Sequence, residues 1–310
     1  MNQYKPEGTL IKSPRNYEYV SSLEGLYKAQ EKGVILEAPV VMCDHNFNLH
    51  VDLSGIRGII PRGEAAETEE GSELKDIAIL TRVGKTVAFK VIGFSETADG
   101  RVQPVLSRKA AQRECYECYV STLIPGDIIP VRVTHVENFG AFVDIGCGII
   151  SLLSIDCLSV SRISHPTARV CAGDSIYTVV KSVDERGRVY VSMRELLGSW
   201  TENASRFSEG QTVRGIIRSI ESYGIFVELT PNLAGLAEYR DGVREGQSAA
   251  VYIKSILPEK MKIKLIIIDT DEETPKRLPP EYFIDVSTTR HLESWTYSPK
   301  PSKRIIETIF

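Results

Sequence analysis

Residues 137–146 read ENFGAFVDIG and residues 221–230 read ESYGIFVELT. The two stretches place a glutamate, an aromatic, a glycine, a Phe-Val pair and an acid in the same order. The agreement continues into the flanks. PGDIIPVRVTHVENFGAFVDIG (125–146) lies over EGQTVRGIIRSIESYGIFVELT (209–230) at a shift of 84 residues, with Gly126 on Gly210, Phe139 on Tyr223, Gly140 on Gly224 and Phe142 on Phe226. Each copy of such a repeat is one structural unit, so the repeat constrains the architecture before anything else does. A weaker copy lies upstream. There Phe47-Asn-Leu-His-Val-Asp-Leu53 fits under Phe139 to Ile145, with Asn48 in place of the glycine and His50 in place of the second aromatic, and GIRGIIPRGE (55–64) continues it as a strand and turn.

Within each copy the pattern is β. Val213, Gly215 and Ile217 alternate with Arg214, Ile216 and Arg218, a period of two. The aromatic phrase is the next strand, followed by GIISLLS (148–154) or NLAGLAE (232–238). Two more strands close each copy: SIYTVVKSVD (175–184) with RVYVSM (188–193), and SAAVYIKSIL (248–257) with KIKLIII (262–268). Five short strands in so compact a span suit a small closed barrel, which leaves no edge strand exposed. The fold expected is mainly β, with tandem five-stranded barrels joined by short helices. The expected division is an N-terminal arm and helix over 1–32, a degenerate barrel over 33–107, a helical linker over 108–124, a barrel over 125–197, a linker over 198–208, a second full barrel over 209–268 and a C-terminal extension over 269–310. Ser21-Ser-Leu-Glu24 reads as a capping box for a helix that stops at Gly33. The polar, proline-rich TDEETPKRLPPE (270–281) reads as a linker to an extended arm with a docking terminal strand, carrying Trp295, Tyr297 and RIIETIF (304–310).

Apolar residues make up 42% and charged residues 25% of the 310, the composition of an ordinary globular chain. No apolar run reaches the roughly 20 residues that span a bilayer, and the N-terminus lacks the pattern of a secretory signal. No membrane partner is expected, and the cytoplasm is the expected compartment. Six cysteines (43, 115, 118, 147, 157 and 171) scattered over the chain suit free thiols. Cys115-Tyr-Glu-Cys118 has no second ligand pair and reads as two semi-buried helix positions. The histidines, at 45, 50, 135, 165 and 291, have no metal-ligand spacing, and no hydrolase, nucleotide-binding or zinc-peptidase motif is present. No catalytic residue, cofactor or metal is expected. The net charge of −4 means that bulk electrostatics cannot carry affinity for nucleic acid, so stacking and local geometry would have to.

Residues three apart in a regular strand face opposite sides. Glycine between Phe139 and Phe142 is expected to mark a bulge or a strong bend in the strand, and a bulge would shift the phase and bring both rings to one face. A pair of exposed rings is a stacking platform for bases, each stacked base contributing about 1–3 kcal/mol. A single Phe in a strand is more often buried in a core. The Gly-linked pair present twice favours the platform, with Val143, Ile145, Val227 and Leu229 left to fill the interior. Nearby basic residues could reach phosphates: Arg132, Arg186, Arg188 and Arg194 in one copy, and Arg214, Arg218, Lys260, Lys262 and Lys264 in the other.

These residues resemble the S1-type RNA-binding domain, an OB-fold barrel. The segments that carry the resemblance are PGDIIPVRVTHVENFGAFVDIG, LSVSRISHP (158–166) and GDSIYTVVKSVDERGRVYVSMRE (173–195), and with the weaker copy it covers roughly residues 33–268. The resemblance implies RNA contacts from two aromatics, a histidine on the third strand, and an Asp and an Arg around the last hairpin. Phe139 and Phe142 match the aromatics, Asp184 and Arg188 the acid and base, and Ser154 stands at the histidine position. In the later copy Tyr223 and Phe226 match the rings and Lys262 the Arg. Glu238 and Pro258 stand where the histidine and Asp belong, which weakens the expectation of RNA binding there. The first copy keeps only Phe47 and His50 and is expected to be structural or protein-docking.

The layout is similar to short bacterial ribosomal-protein-S1-like proteins with three tandem repeats. That similarity implies non-catalytic binding of single-stranded messenger or ribosomal RNA linked to translation, with small-subunit ribosomal proteins as further partners. The alternative is a protein-interaction scaffold, docked on the ribosome or RNA machinery, with little RNA affinity of its own.

Overall fold

The computed structural model describes residues 4–68, 74–271 and 277–310; part of the expected linker at 270–281 falls outside them. The chain forms two compact units. The first holds the residues up to Leu123 with Pro130–Arg132 and Asp144–Ile150; the second holds Ile124–Ile129, Val133–Val143 and Ser151–Phe310.

Two helices open the first unit, α1 (Pro14–Val20) and α2 (Leu23–Lys32). The expected capping box is corrected here. Ser22, not Ser21, caps α2 by accepting from the Gly25 N–H at 3.0 Å, while Ser21 closes α1, a helix the sequence pattern did not announce. Gly33 ends α2 in the left-handed conformation at φ 60°, as expected. Strands β1 (Leu36–Cys43), β2 (Leu49–Leu53) and β3 (Ile56–Ile60) follow, then the short helix α3 (Asp76–Leu80) and strands β4 (Thr86–Glu96) and β5 (Val102–Ser107). They close into a barrel in the order β1-β2-β3-β5-β4, with β3 and β5 parallel. Leu36, Val40, Leu49, Val51, Leu53, Phe89 and Leu106 fill it. Asn16 joins α1 to β1 as a substitute strand: its amide donates to the Glu37 carbonyl at 2.9 Å and accepts from the Glu37 N–H at 2.8 Å. Helix α4 (Arg108–Cys118) carries Cys115 buried and Cys118 exposed. Buried Arg108 on α4 grips Glu7 through Nε at 2.7 Å and Nη2 at 3.1 Å, which ties down the N-terminal arm.

The same order recurs twice. Strands β6 (Ile128–Glu137), β7 (Gly140–Gly146), β8 (Ile149–Ser154), β9 (Ser175–Val183) and β10 (Val189–Ser192) close the middle barrel. After helix α5 (Trp200–Ala204), strands β11 (Thr212–Glu221), β12 (Gly224–Thr230), β13 (Leu233–Ala237), β14 (Ser248–Leu257) and β15 (Lys262–Asp271) close the last one. A five-stranded barrel with a parallel closing pair is the OB-fold. Period-two burial builds the last core: Ile225 and Val227, then Ala249, Val251 and Ile253, then Ile263 and Leu265 point inward. Gly235 leaves room for Leu265, whose Cδ1 would lie 2.5 Å from any Cβ placed there.

Within the second unit the middle and last barrels share a joint. Ser199 and Glu202 form a true capping box at α5, which places Trp200 in the core of the last barrel. Buried Asn232 donates to the carbonyls of Arg194 and Gly198, each at 2.8 Å, and accepts from the Val160 N–H at 2.9 Å. The C-terminal extension is a strap over both barrels. Tyr282 accepts from the Tyr177 N–H, Leu292 pairs with Gly126, and strands β16 (Ser294–Thr296) and β17 (Glu307–Ile309) form a hairpin that buries Trp295 and Tyr297.

Candidate nucleic-acid interface

The aromatic phrase is a hairpin tip. β6 ends at Glu137 and β7 begins at Gly140, so Asn138 and Phe139 form a two-residue turn; Ser222 and Tyr223 do the same between β11 and β12, where Glu221 pairs with Gly224. The expected bulge at the glycine is therefore corrected. In the last barrel the register shift of this strand pair lies between Ile217 and Ser219, away from the glycine. Phe139 and Phe142 share a side because the first is in the turn and only the second obeys strand alternation.

The glycine is needed for a different reason. A Cβ on Gly140 would stand 2.5 Å from the Leu153 carbonyl oxygen and 2.9 Å from the Ser154 Cα, and one on Gly224 would stand 2.5 Å from the Ala237 carbonyl oxygen. The backbone of the next strand passes too close for any side chain. Gly224 also sits at φ 148°, a conformation L-residues rarely adopt. The Ile155 N–H donates to the Phe139 carbonyl at 2.9 Å and pins the tip.

The rings stand alike in the two copies. Phe139 and Phe142 meet edge to face with centroids 6.0 Å apart at 86°; Tyr223 and Phe226 do so at 6.1 Å and 87°. Phe139 is 55% exposed and Tyr223 67%, each beside a half-buried partner. Neither pair is sealed in a core. A half-buried ring holding an exposed one at right angles presents flat apolar surface to solvent, against which a base can stack.

The other expected residues divide into two groups. Asp184 organises the β9–β10 turn: one carboxylate oxygen accepts from the N–H groups of Arg186 and Arg188, both at 2.9 Å, and the other from Arg188 Nε at 3.0 Å. The Arg188 N–H, followed by the other donors, holds its carboxyl below the usual value. The Arg188 guanidinium is thus fixed at an exposed hairpin tip. Lys262 is exposed at the start of β15. Arg194 and Arg218 are drawn into the protein instead. Arg194 reaches Glu195 at 3.1 Å and Thr308 of the strap at 3.4 Å, while Arg218 makes a two-pronged bond to Glu228 at 2.8 and 3.1 Å. Arg132 is half-buried, and its guanidinium lies beside Gly8 of the N-terminal arm, where a Cβ would come within 2.6 Å.

The first barrel has a longer turn, Asp44 to Asn48, with Phe47 in the left-handed region at φ 61°. Its ring packs on the core and is covered by the Arg62 guanidinium, 5.1 Å from the centroid. His50 is bound to Asp44 at 3.3 Å, and Asn48 bonds both Asp44 and the Arg62 N–H. Desolvation opposes charge on Asp44, but the donors from Asn48, His50 and Asn46 outweigh it and hold its carboxyl down at about 2. This site is closed by its own side chains.

Two residues of the strap belong with these faces and carried no local signal. Lys303 and Arg304, in the loop between β16 and β17, line a groove of about 780 Å³ with Phe226, Lys260 and Lys262. Only the fold brings residues so distant in sequence together. Among the described residues no cluster of three metal-binding side chains occurs, and no helix is long and apolar enough to cross a membrane.

Three five-stranded barrels of OB-fold topology, two of them with the same aromatic tip, are the features on which likeness to known proteins can be judged. Residues 122–194 match the family described as S1 RNA binding domain. Over most of its length the chain resembles small ribosomal subunit proteins of the bS1 kind. It is 28% identical over 311 residues to the small ribosomal subunit protein bS1 of Staphylococcus epidermidis, covering 95% of this chain and 76% of that one. It is likewise 28% identical over 295 residues to the small ribosomal subunit protein bS1 homolog of Bacillus subtilis, covering 89% and 73%. Among solved structures, a multidomain protein with nucleic acid binding domains from Streptococcus pneumoniae aligns over 76% of this chain and 73% of its own at 17% identity, with a TM-score of 0.25.

Proposed function

We propose that the protein binds single-stranded RNA without transforming it and acts in translation, at or near the small ribosomal subunit, in the cytoplasm. The observation that carries this reading is the pair of hairpin tips at which an exposed ring stands edge-on to a half-buried one in the same geometry. Phe139 and Phe142 stack bases, Arg188, oriented by Asp184, contacts phosphate, and Tyr223, Phe226 and Lys262 repeat the arrangement on the last barrel. Arg132 flanks the middle barrel's contacts. Arg194 and Arg218 support the faces from within, consistent with their bonds to Glu195, Thr308 and Glu228. The similarity to bS1 proteins over most of the chain supports the link to the ribosome.

The test is binding of a short pyrimidine-rich RNA followed by fluorescence anisotropy. Replacing both Phe139 and Phe142 with Ala is expected to weaken binding about tenfold or more, since two stacking surfaces are lost. Affinity should also fall as salt rises, because phosphate contacts release counterions. Unchanged affinity in the double variant removes this reading.

A second reading applies to the first barrel. Arg62 over Phe47 and His50 bound to Asp44 leave that face no free platform, which favours a protein-docking role there. If the whole protein shows no RNA binding at low salt, the scaffold role extends to all three barrels.

A further inference from the structure

The last barrel departs from the S1 pattern at two positions, with Glu238 and Pro258 in place of a histidine and an acid. The structure brings another part of the chain to this barrel. Lys303 and Arg304 stand in the β16–β17 loop, more than thirty residues beyond β15, yet they line one groove with Phe226, Lys260 and Lys262. The groove's charged lining is four cations, Lys260, Lys262, Lys303 and Arg304, against one carboxylate, Glu259. The chain as a whole is acidic, with a net charge of −4, so this is a local reversal of sign. All four cationic residues are exposed, and none has an ion pair among the described residues.

The loop that carries Lys303 and Arg304 is held. At its base the Tyr297 N–H donates to the Ile306 carbonyl at 2.9 Å, and the Ile306 N–H donates to Ser298 Oγ at 2.8 Å. At its tip Ser302 Oγ donates to the Arg304 carbonyl at 3.1 Å and accepts from the Arg304 N–H at 3.2 Å. The Tyr297 hydroxyl donates to the Asn232 carbonyl at 2.6 Å, which anchors the strap beside β13. A basic loop fixed in this way gives up little conformational freedom when it meets an anion.

We propose that the β16–β17 loop completes an RNA-backbone track on the last barrel, with Lys303 and Arg304 holding phosphates of a single strand whose base lies on Phe226. The proposal rests on the RNA-binding reading above and adds to it that the C-terminal strap is part of the binding surface. Single-stranded RNA fits the groove better than a general anion does, because the lining joins an aromatic face to spaced cations. Lys260 and Lys262 approach from the barrel, and Lys303 and Arg304 from the strap.

The test uses the full chain and a pyrimidine-rich RNA oligonucleotide across a salt series. Lys303→Ala with Arg304→Ala is expected to weaken binding about five- to tenfold at low salt. It should also make the dependence of log affinity on log salt shallower by about 1.4, two single-strand phosphate contacts at about 0.7 each. Lys303→Arg with Arg304→Lys should retain the affinity. The strap variant combined with Phe139→Ala and Phe142→Ala should lose the binding that the middle-barrel variant leaves. If the middle-barrel variant weakens binding and the strap variant changes neither affinity nor salt slope, the track is refuted while RNA binding stands. If the wild-type protein binds no RNA at low salt, both fail together. A poly-glutamate probe of matched charge covers the remaining occupant. If it binds as tightly as RNA, and loses as much affinity on Lys303→Ala with Arg304→Ala but none on Phe226→Ala, the groove docks acidic protein and the proposal is overturned.

Discussion

Arg169, in the connection between β8 and β9 of the middle barrel, forms an ion pair with Glu228 on β12 of the last barrel, and their side chains are only 5% and 6% exposed. Arg218 binds the same carboxylate from the neighbouring strand β11. Two guanidinium groups thus converge on one buried acid, and the joint depends on that acid being present. Glu228→Ala leaves Arg169 buried and Arg218 partly buried without it. Breaking such a pair from one side costs about 3–5 kcal/mol. A drop of this size in the unfolding free energy from denaturant titration, with increased protease cutting between the two barrels, is the expected result; a variant as stable as the wild type would show that the pair contributes nothing to the joint.

Phe139 and Gly140 are neighbours with opposite expected effects. Phe139 is 55% exposed, so Phe139→Ala should change stability by no more than about 0.5 kcal/mol while weakening RNA binding. Gly140→Ala drives a methyl group to 2.5 Å from the Leu153 carbonyl and should destabilise the middle barrel by about 1–3 kcal/mol. Thermal melts of the two variants, read beside RNA titrations, separate the two roles. Equal stability loss in both variants would contradict the assignment.

Glu37 makes the first unit sensitive to pH. One of its carboxylate oxygens accepts from the Leu10 and Ile11 N–H groups at 2.8 and 2.9 Å, and the other is buried with no hydrogen-bond partner among the described residues. Burial, the dominant influence, raises its pKa from 4.5 to about 7. The folded protein therefore holds this proton more tightly than the unfolded chain does. The associated stability is fully present below about pH 4.5 and is lost as pH rises through about 7. Glu37→Gln cannot titrate, so the stability of the wild type relative to this variant should fall between about pH 5 and pH 8. A constant difference across that range, measured by chemical denaturation, would exclude the effect.

The strap can be loosened by one atom. Tyr297→Phe removes the 2.6 Å hydrogen bond to the Asn232 carbonyl but keeps the ring in its core. The expected cost is about 1 kcal/mol, with the carbonyl left without its donor. Hydrogen exchange should rise at β16 and β17 more than in the middle barrel's strands.

Much of this was legible in the sequence because the repeat carries it. The period-two pattern of β11, the aromatic tips and the Gly126–Gly210 match each reflect a local requirement that both copies share. The glycines were readable as special but for the wrong reason. Their constraint is the backbone of the neighbouring strand, at Leu153 and Ala237, and no local pattern shows which strand passes closest. The capping box was misplaced because Ser21 and Ser22 are equivalent in sequence, and only α1 ending at Val20 decides between them. Arg218 read as a free cation because its partner Glu228 lies on another strand, and Arg194 because the sequence does not show that neighbouring Glu195 turns toward it or that Thr308 of the strap comes near. Lys303 and Arg304 gave no signal for the same reason: their significance comes from Phe226, which only the folded strap brings near.

The buried joint between the middle and last barrels has a further consequence for how an RNA is counted. With a floppy tether, avidity would grow gradually with oligonucleotide length. Rigid coupling through Arg169, Glu228 and Asn232 fixes the gap between the two aromatic tips, so a strand either reaches across or fails to. Affinity plotted against nucleotide number should then rise in a single step, and the position of that step would measure the gap like a ruler.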